Sequence, residues 1–422
     1  MTKSKKKILW IITCSFIVIT ILILYKLKQD SSTMEAKSAI GGHGVNIHFR
    51  GDPIDIELIE KAGFKYVRTD LNWSAVEKDK QDYDFEETGY DKLTQSLLES
   101  KIKPYYILDY SNKLYEERQS IVTEKGREAF GDFVTQATQR YRNNGIIWEI
   151  WNEPNGGFWD PKPNHEEYAL LVKKVSQIIK KNDPSGIVVA PALAYINQDA
   201  LAWLNEIAKL GAFDYIDAVS VHPYRSTNPE TVSGDYLNLR NLISKYTSKN
   251  IPIISGEWGY STGVGWSGLN LTDSQQAEYA VRMFLINKYM NIPISIWYDW
   301  KDSGTDPADG NQNFGLRENN LITPKLSYLG LKTVNKTLNG YEFDKRLSTD
   351  SDNDYVLVFR NKHDDKIFVC WTTSTEKHEI QLTENIAGNI NSMYGENIGF
   401  VKKNNSKINV TTSPIYILQK KE

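Results

Sequence analysis

Residues 146–153, IIWEIWNE, form a nearly unbroken apolar run that stops at Asn152 and Glu153. A strand with one wet face alternates apolar and polar residues, whereas a run like this belongs to a sheet covered on both faces. The same pattern recurs on either side of it: GVNIHF (44–49), FKYVRTD (64–70), KPYYILDY (103–110), GIVVAPAL (186–193), IDAVSVHPY (216–224), IPIISGEW (251–258) and IPISIWYDW (292–300). Helix-period segments separate these runs, among them EKGREAFGDFVTQATQRYR (124–142), EEYALLVKKVSQIIKK (166–181) and DSQQAEYAVRMFLINKYM (273–290). A last amphipathic stretch, KLSYLGLKTVNKTL (325–338), completes eight strand–helix units between residues 40 and 340. That count in that length predicts an α/β fold, a (β/α)8 barrel. A doubly wound open sheet would carry a G-x-G-x-x-G turn after its first strand, and none follows GVNIHF.

Barrels of this kind place their chemistry at the C-terminal ends of the strands. Those ends carry His48, Arg68, Asp70, Asp109, Asn152, Glu153, His222, Tyr224, Glu257 and Asp299. Glu153 and Glu257 stand out because each closes a strongly apolar strand, where an unpartnered carboxylate is costly. A salt bridge at the barrel rim is the plain alternative for either residue alone. It explains the pair less well, because aromatic rings crowd the same strand ends and loops. Trp73, Trp148, Trp151, Trp159, Trp258, Trp266, Trp297 and Trp300 all fall there. Flat rings beside carboxylates complement a sugar, which has apolar C–H faces and polar edges. Trp148 is the one best explained as packing. The spread of Trp73, Trp159, Trp266 and Trp300 over separate loops predicts an open cleft and cutting within a polymer chain.

Several motifs carry a family resemblance. WEIWNEPN (148–155) resembles the acid/base motif of clan A glycoside hydrolases, and ISGEWG (254–259) resembles their nucleophile motif. His222-Pro223-Tyr224 is similar to the H-x-Y that ends strand six, and SIWYDWKDSGTDPADGNQNFGL (295–316) is similar to the strand-eight region near families 39 and 5. The resemblance implies a retaining glycosidase with Glu153 as general acid/base and Glu257 as nucleophile. It further implies that Asn152 bonds the sugar 2-hydroxyl, that Arg68 keeps Glu257 ionised, and that His222 and Tyr224 orient Glu257. Trp297 would be the platform under the reacting sugar, with Trp73, Trp258, Trp300, His48 and Asp109 completing the substrate surface. Trp148 and Trp151 would frame Glu153 and bias it towards its neutral form. Family 5 enzymes usually end strand three with His; Asp109-Tyr110 stands there instead, which favours the family 39-like group, some of which cleave biofilm exopolysaccharides. No metal or cofactor is expected. A transglycosylase using the same two carboxylates, or an inactive glycan-binding barrel, are the alternatives.

The ends of the chain differ from its middle. Residues 8–25, ILWIITCSFIVITILILY, carry no charge and nearly span a hydrocarbon core. Lys3, Lys5, Lys6 and Lys7 precede this run, so residues 1–7 are expected in the cytoplasm and everything after residue 25 outside the cell. The run is longer than a usual signal core and no A-x-A site follows closely, so an uncleaved, single-pass membrane anchor is expected in place of a secreted form. Residues 26–39 read as a tether. From 341 to 422, short alternating runs between Asn, Asp, Gly and Ser clusters predict an antiparallel β-sandwich. With Trp371 its one obvious ring, that sandwich reads as a packing partner of the barrel and not as a sugar-binding module. Lys plus Arg number 50 and Asp plus Glu 53, a net charge of −3, which gives no footprint for nucleic acid. Cys14 lies in the apolar run, so it is not expected to pair with Cys370, and the six histidines lack zinc-site spacing. The expected partners are a polysaccharide and the membrane, with the chain acting as a monomer.

Overall fold

The computed structural model describes residues 41–48, 53–320, 322–384, 386–403 and 406–419. The expected membrane anchor (8–25) and tether (26–39) lie outside the described residues; among these, no helix is long and apolar enough to cross a membrane.

Eight parallel strands close into a barrel in chain order: β1 (Gly42–Asn46), β2 (Tyr66–Asn72), β3 (Lys103–Asp109), β4 (Ile147–Ile150), β5 (Ile187–Ala194), β6 (Ala218–His222), β7 (Ile253–Trp258) and β8 (Ile294–Trp297). The ring shuts where Val45 pairs with Val67 on one side and Trp297 on the other. Side chains alternate along a strand, so each strand feeds two cores. Tyr66, Tyr105, Ile147, Ile187, Val189, Ala218, Ile254, Ile294 and Ile296 fill the barrel interior. The alternate residues, Val67, Tyr106, Trp148, Val188, Val219, Ile253 and Trp297 among them, meet the surrounding helices. Those are α1 (Pro53–Lys61), α2 (Tyr90–Glu99), α3 (Glu124–Arg140), α4 (His165–Asn182), α5 (Gln198–Lys209), α6 (Val232–Tyr246), α7 (Asp273–Tyr289) and α8 (Leu326–Thr337). Side-chain caps start several of them: Thr123 for α3, Asn164 for α4, Asn197 for α5, and a Thr272–Gln275 capping box for α7.

Beyond the barrel come β9 (Tyr341–Arg346), β10 (Asp354–Asn361), β11 (Lys366–Thr372), β12 (His378–Gln381), β13 (Gly388–Asn391), β14 (Asn397–Val401), β15 (Lys407–Val410) and β16 (Ile415–Gln419). Six of these form an antiparallel sheet, in the order β9-β10-β11-β16-β13-β14, and β12 pairs with β15 as a ribbon. Ile380, Ile408 and Val410 of the ribbon pack on Val356, Val358, Phe368 and Cys370. The opposite face of the sheet, through Tyr355, Leu357, Phe359, Val369 and Trp371, merges with the core around the barrel. Trp371 is fully buried there: its indole stacks on Tyr355 at 4.7 Å and donates to Glu230 Oε1 at 2.7 Å. Glu230 in turn receives two bonds of 2.7 Å from Arg282 of α7, an ion pair sealed between barrel and sheet. Burial, the largest influence, raises the Glu230 carboxyl, but the Arg282 charge together with hydrogen bonds from Arg282 and Asn228 outweighs it and holds the group below its ordinary value.

Candidate active site

Arg68 is the centre of the barrel mouth. It sits on β2 in phase with the interior residue Tyr66 and is almost fully buried. Its Nε donates to Glu149 Oε2 at 2.8 Å, and Nη1 donates to Glu257 Oε2 at 2.7 Å and Asn46 Oδ1 at 3.1 Å. Nη2 donates to Asn152 Oδ1 at 2.8 Å and meets His222 Nε2 at 3.2 Å. Burial works against the guanidinium, but the charges of Glu149 and Glu257 overcome it and keep Arg68 well above its ordinary range. Glu149 also accepts from the Tyr105 hydroxyl at 2.7 Å. It is not among the residues the sequence reading singles out; its signal is a lone acid inside the apolar run IIWEIW.

Local backbone devices aim the two glutamates. After β4, Trp151 (φ 67°) and Glu153 (φ 46°) take left-handed conformations that non-glycine residues adopt at a cost. Asn155 pins this turn to the end of β5 by exchanging bonds with the backbone N–H and C=O of Ala194, at 2.9 and 3.0 Å. On β7, Ser255 pairs with Ser295 and Trp258 with Trp297, so three steps on β7 oppose two on β8. That bulge turns Glu257 into the mouth, where strict alternation would have pointed it outward. Gly256 is required by space, since a Cβ there would stand 2.0 Å from Ser220 Oγ.

Glu257 accepts from Arg68 and, at 2.9 Å, from the Tyr224 hydroxyl. Burial first, then the Glu257 charge, keep Tyr224 well above the ordinary phenol range, so it is a neutral donor. His222 does not orient Glu257. Arg68 can only donate, so the Nε2 it faces is an acceptor, and the His222 proton sits on Nδ1, 2.8 Å from Glu153 Oε1. An oxygen of Glu153 lies within 4.8 Å of an oxygen of Glu257. Their side chains keep 18% and 14% of their surface exposed, against 1% or less for Arg68 and His222, so these two carboxylates are what a ligand meets. Glu153, His222 and Glu257 are close enough together to ligate a metal, but both His222 nitrogens are engaged and a cation there would face the Arg68 guanidinium.

Arg68, Asp109, Asn152, Glu153, His222, Tyr224, Glu257 and His48 therefore converge, whereas four of the expected tryptophans do not. Trp297 is fully buried on the helix side of β8, its indole bonded to Phe314 O at 3.0 Å. The ring in phase with interior Ile294 and Ile296 is Tyr298, whose hydroxyl meets His48 Nε2 at 3.2 Å. Trp258 is buried beneath Arg225 on the outer face of β7. Trp73 opens a one-turn helix capped by Asn72, bonds Glu77 at 2.6 Å and stacks on Tyr115 under α3. Trp300 is buried against α1 through a bond to Asp55. Trp148, Trp151 and Trp159 are buried as well; Trp148 bonds Asp183, and Trp151 packs on Trp159 and Tyr110. They frame no carboxylate at the mouth, and His222 stands beside Glu153 in their place. Of the eight, Trp266 alone is half-exposed, near Tyr224 and Phe314. Two exposed rings in the loops after β4 and β5, Phe158 and Tyr195, are 40% and 51% exposed and are not singled out by the sequence reading.

A closed (β/α)8 barrel with two adjacent glutamates at its mouth, one served by an arginine and a tyrosine and the other by a histidine, defines a glycoside hydrolase. The chain matches the family model of Cellulase (glycosyl hydrolase family 5) over residues 36–304, and it belongs to that family. Asp109 at the end of β3 does not remove it from family 5. An endoglucanase of Clostridium saccharobutylicum is 24% identical over 399 residues, covering 82% of this chain and 81% of that one. A β-xylosidase of Geobacillus stearothermophilus is 27% identical over 205 residues, and the match spans 42% of this chain and 40% of the xylosidase. Among solved structures, a family 39 glycoside hydrolase from Bacteroides cellulosilyticus WH2 superposes with a TM-score of 0.78 at 24% identity, covering 90% of this chain and 81% of that one. A family 30 endoxylanase from Clostridium papyrosolvens C71 gives 0.65 at 12% identity, covering 90% of this chain and 97% of that one.

Proposed function

We propose that this chain hydrolyses a β-linked polysaccharide, an exopolysaccharide among the candidates, by double displacement, with Glu257 as nucleophile and Glu153 as acid/base. The carrying observation is the approach of the two carboxylates to within 4.8 Å. Retention needs about 5–5.5 Å between them, whereas inversion needs about 6.5–9.5 Å to admit a water. The donors divide the roles. Glu257 receives Arg68 and Tyr224, the setting of a carboxylate that attacks an anomeric carbon. On Glu153 the His222 N–H occupies Oε1, leaving Oε2 to hold the proton for the departing oxygen. Once the glycosyl–enzyme forms, the Glu257 charge is gone, and Glu153 takes a proton from the incoming water. Asn152 is fixed through its Oδ1 by Arg68 and is the residue assigned to bond the sugar 2-hydroxyl.

The endoglucanase and β-xylosidase names of the relatives support a β-linked glucan or xylan among the candidates. Residues 8–25 are proposed to anchor a monomeric enzyme in the cell membrane with its barrel outside. The deciding experiment is NMR of the first product released from an aryl glycoside: the retained anomer is expected, and the inverted anomer would remove Glu257 from the role of nucleophile.

A further inference from the structure

Glu149 takes no step in the double displacement, yet it is fully buried beneath the mouth. On β4 it follows the interior residue Ile147 by two, so it points into a layer otherwise filled by aliphatic residues and two tyrosines. A buried ion pair adds little to stability over apolar packing of the same volume, so a carboxylate at such a position calls for another reason. Its partners supply one. Oε1 accepts from the Tyr105 hydroxyl at 2.7 Å and Oε2 from Arg68 Nε at 2.8 Å, with Arg68 Nη2 also 2.7 Å from Oε2. Oε1 lies 3.4 Å from where a Cβ on Gly256, the residue before Glu257, would stand. One guanidinium thus serves two carboxylates, Glu149 at Nε and Glu257 at Nη1, the latter 2.7 Å away. Burial is the largest influence on Arg68 and opposes its charge; among the groups that overcome burial, Glu149 counts for more than Glu257.

One positive charge between two negative ones leaves a negative charge over. Glycoside cleavage passes through a transition state with positive charge on the sugar ring, which a fixed negative charge facing it stabilises. We propose that Glu149 is a positioning residue that satisfies the Arg68 charge from inside the barrel, so that Glu257 turns an uncompensated negative charge towards the anomeric carbon. The inference rests on the glycosidase reading above and concerns how strongly Glu257 acts in it. Other titratable groups face the pair. Tyr105, Tyr168 and Asp109 feel the Glu149 charge, and Tyr224, Tyr298 and Asp299 feel that of Glu257. Burial above all keeps these tyrosines neutral and raises both aspartic acids. Glu153 and His222 stand beside Glu257, and Asp70 beside Asp109. Apart from the residue substituted, all of these are the same in each variant below.

The test measures kcat/KM against pH for the full-length chain on 2,4-dinitrophenyl β-glycosides of xylose, glucose, mannose and galactose, keeping whichever is cut fastest. That aglycone departs without a proton, so the acid limb reports the ionisation of the nucleophile. Glu149→Gln removes the charge and keeps the shape. Its plateau should fall about tenfold or more, because Arg68 then neutralises Glu257. Its acid limb should move to lower pH by about one unit, because loss of a negative neighbour favours the ionised nucleophile. A role in packing alone would lower the plateau without that shift. Tyr105→Phe keeps the Glu149 charge but removes a donor that offsets it, so its acid limb should move the opposite way, to higher pH. This milder variant keeps the test decisive if Glu149→Gln does not fold. An acid limb left in place in the folded variants, or a Glu149→Gln plateau equal to that of the unaltered enzyme, overturns this role while the glycosidase stands. An unaltered enzyme that cuts none of the glycosides overturns the glycosidase reading and this role with it.

Discussion

The roles proposed for Glu153 and Glu257 rest on their different donors, and single substitutions would read those roles apart. Glu257→Ala removes the atom that forms the glycosyl–enzyme, so kcat/KM should fall by several orders of magnitude for every substrate. Glu153→Ala should fall about 100-fold or more on substrates with poor leaving groups and far less on dinitrophenyl glycosides, whose departure needs no proton. Equal losses on both would contradict the acid role. Both glutamates could be found in the sequence because each ends an apolar strand beside a turn. What the sequence left open was which way neighbouring side chains face. In a strand buried on both sides every residue is apolar, so the alternation that separates inside from outside is silent. Trp297 and Tyr298 are equally plausible platforms on paper, and phase with Ile294 and Ile296 decides for Tyr298. On β7 the bulge reverses the phase between Gly256 and Trp258, a feature with no sequence mark beyond the glycine.

The six-stranded sheet is tied to the barrel by the Trp371–Glu230–Arg282 cluster, and its strength can be measured. Arg282→Ala leaves Glu230 buried without its counter-charge and should cost about 3–5 kcal/mol in denaturant unfolding. Trp371→Phe removes one donor to a charged acceptor and should cost about 1.5–3 kcal/mol. The folded Glu230 carboxyl lies below its ordinary value of 4.5, so its contribution is complete above that value and is lost as pH falls further. The acid loss of stability between pH 5 and 3 should therefore be shallower in Arg282→Ala than in the unaltered chain; parallel curves would show that Glu230 does not carry it. The strands of this sheet are legible because one residue in two is polar at their ends, but the partner of Trp371 is not, since it lies more than a hundred residues away on a short turn before α6.

For the whole enzyme, the polysaccharide substrate proposed above raises the question of how a long glycan would cross the mouth. Phe158 lies in the loop that carries Glu153, Tyr195 follows the Ala194 to which that loop is pinned, and Trp266 packs beside Tyr224, the donor to Glu257. This arrangement predicts cutting within the chain: polymer length should drop early, before monosaccharide accumulates. Phe158→Ala with Tyr195→Ala should raise KM on polymer while leaving aryl monosaccharides nearly unchanged; equal effects on both would place these rings outside the cleft. For the proposed anchor, protease added to intact cells should release the catalytic part, and survival of the full-length chain would argue against an outward-facing barrel. The sealed ion pair beneath the sheet has a further bearing on how such enzymes can be shortened. A chain ended at residue 340 would uncover Arg282, Glu230 and the apolar surface that Tyr355, Leu357 and Phe359 now cover, and it should aggregate rather than yield a minimal catalyst. Water would solvate the two charges once the sheet is gone, so a shortened chain that stays soluble needs polar residues in place of the uncovered apolar surface and not in place of the ion pair.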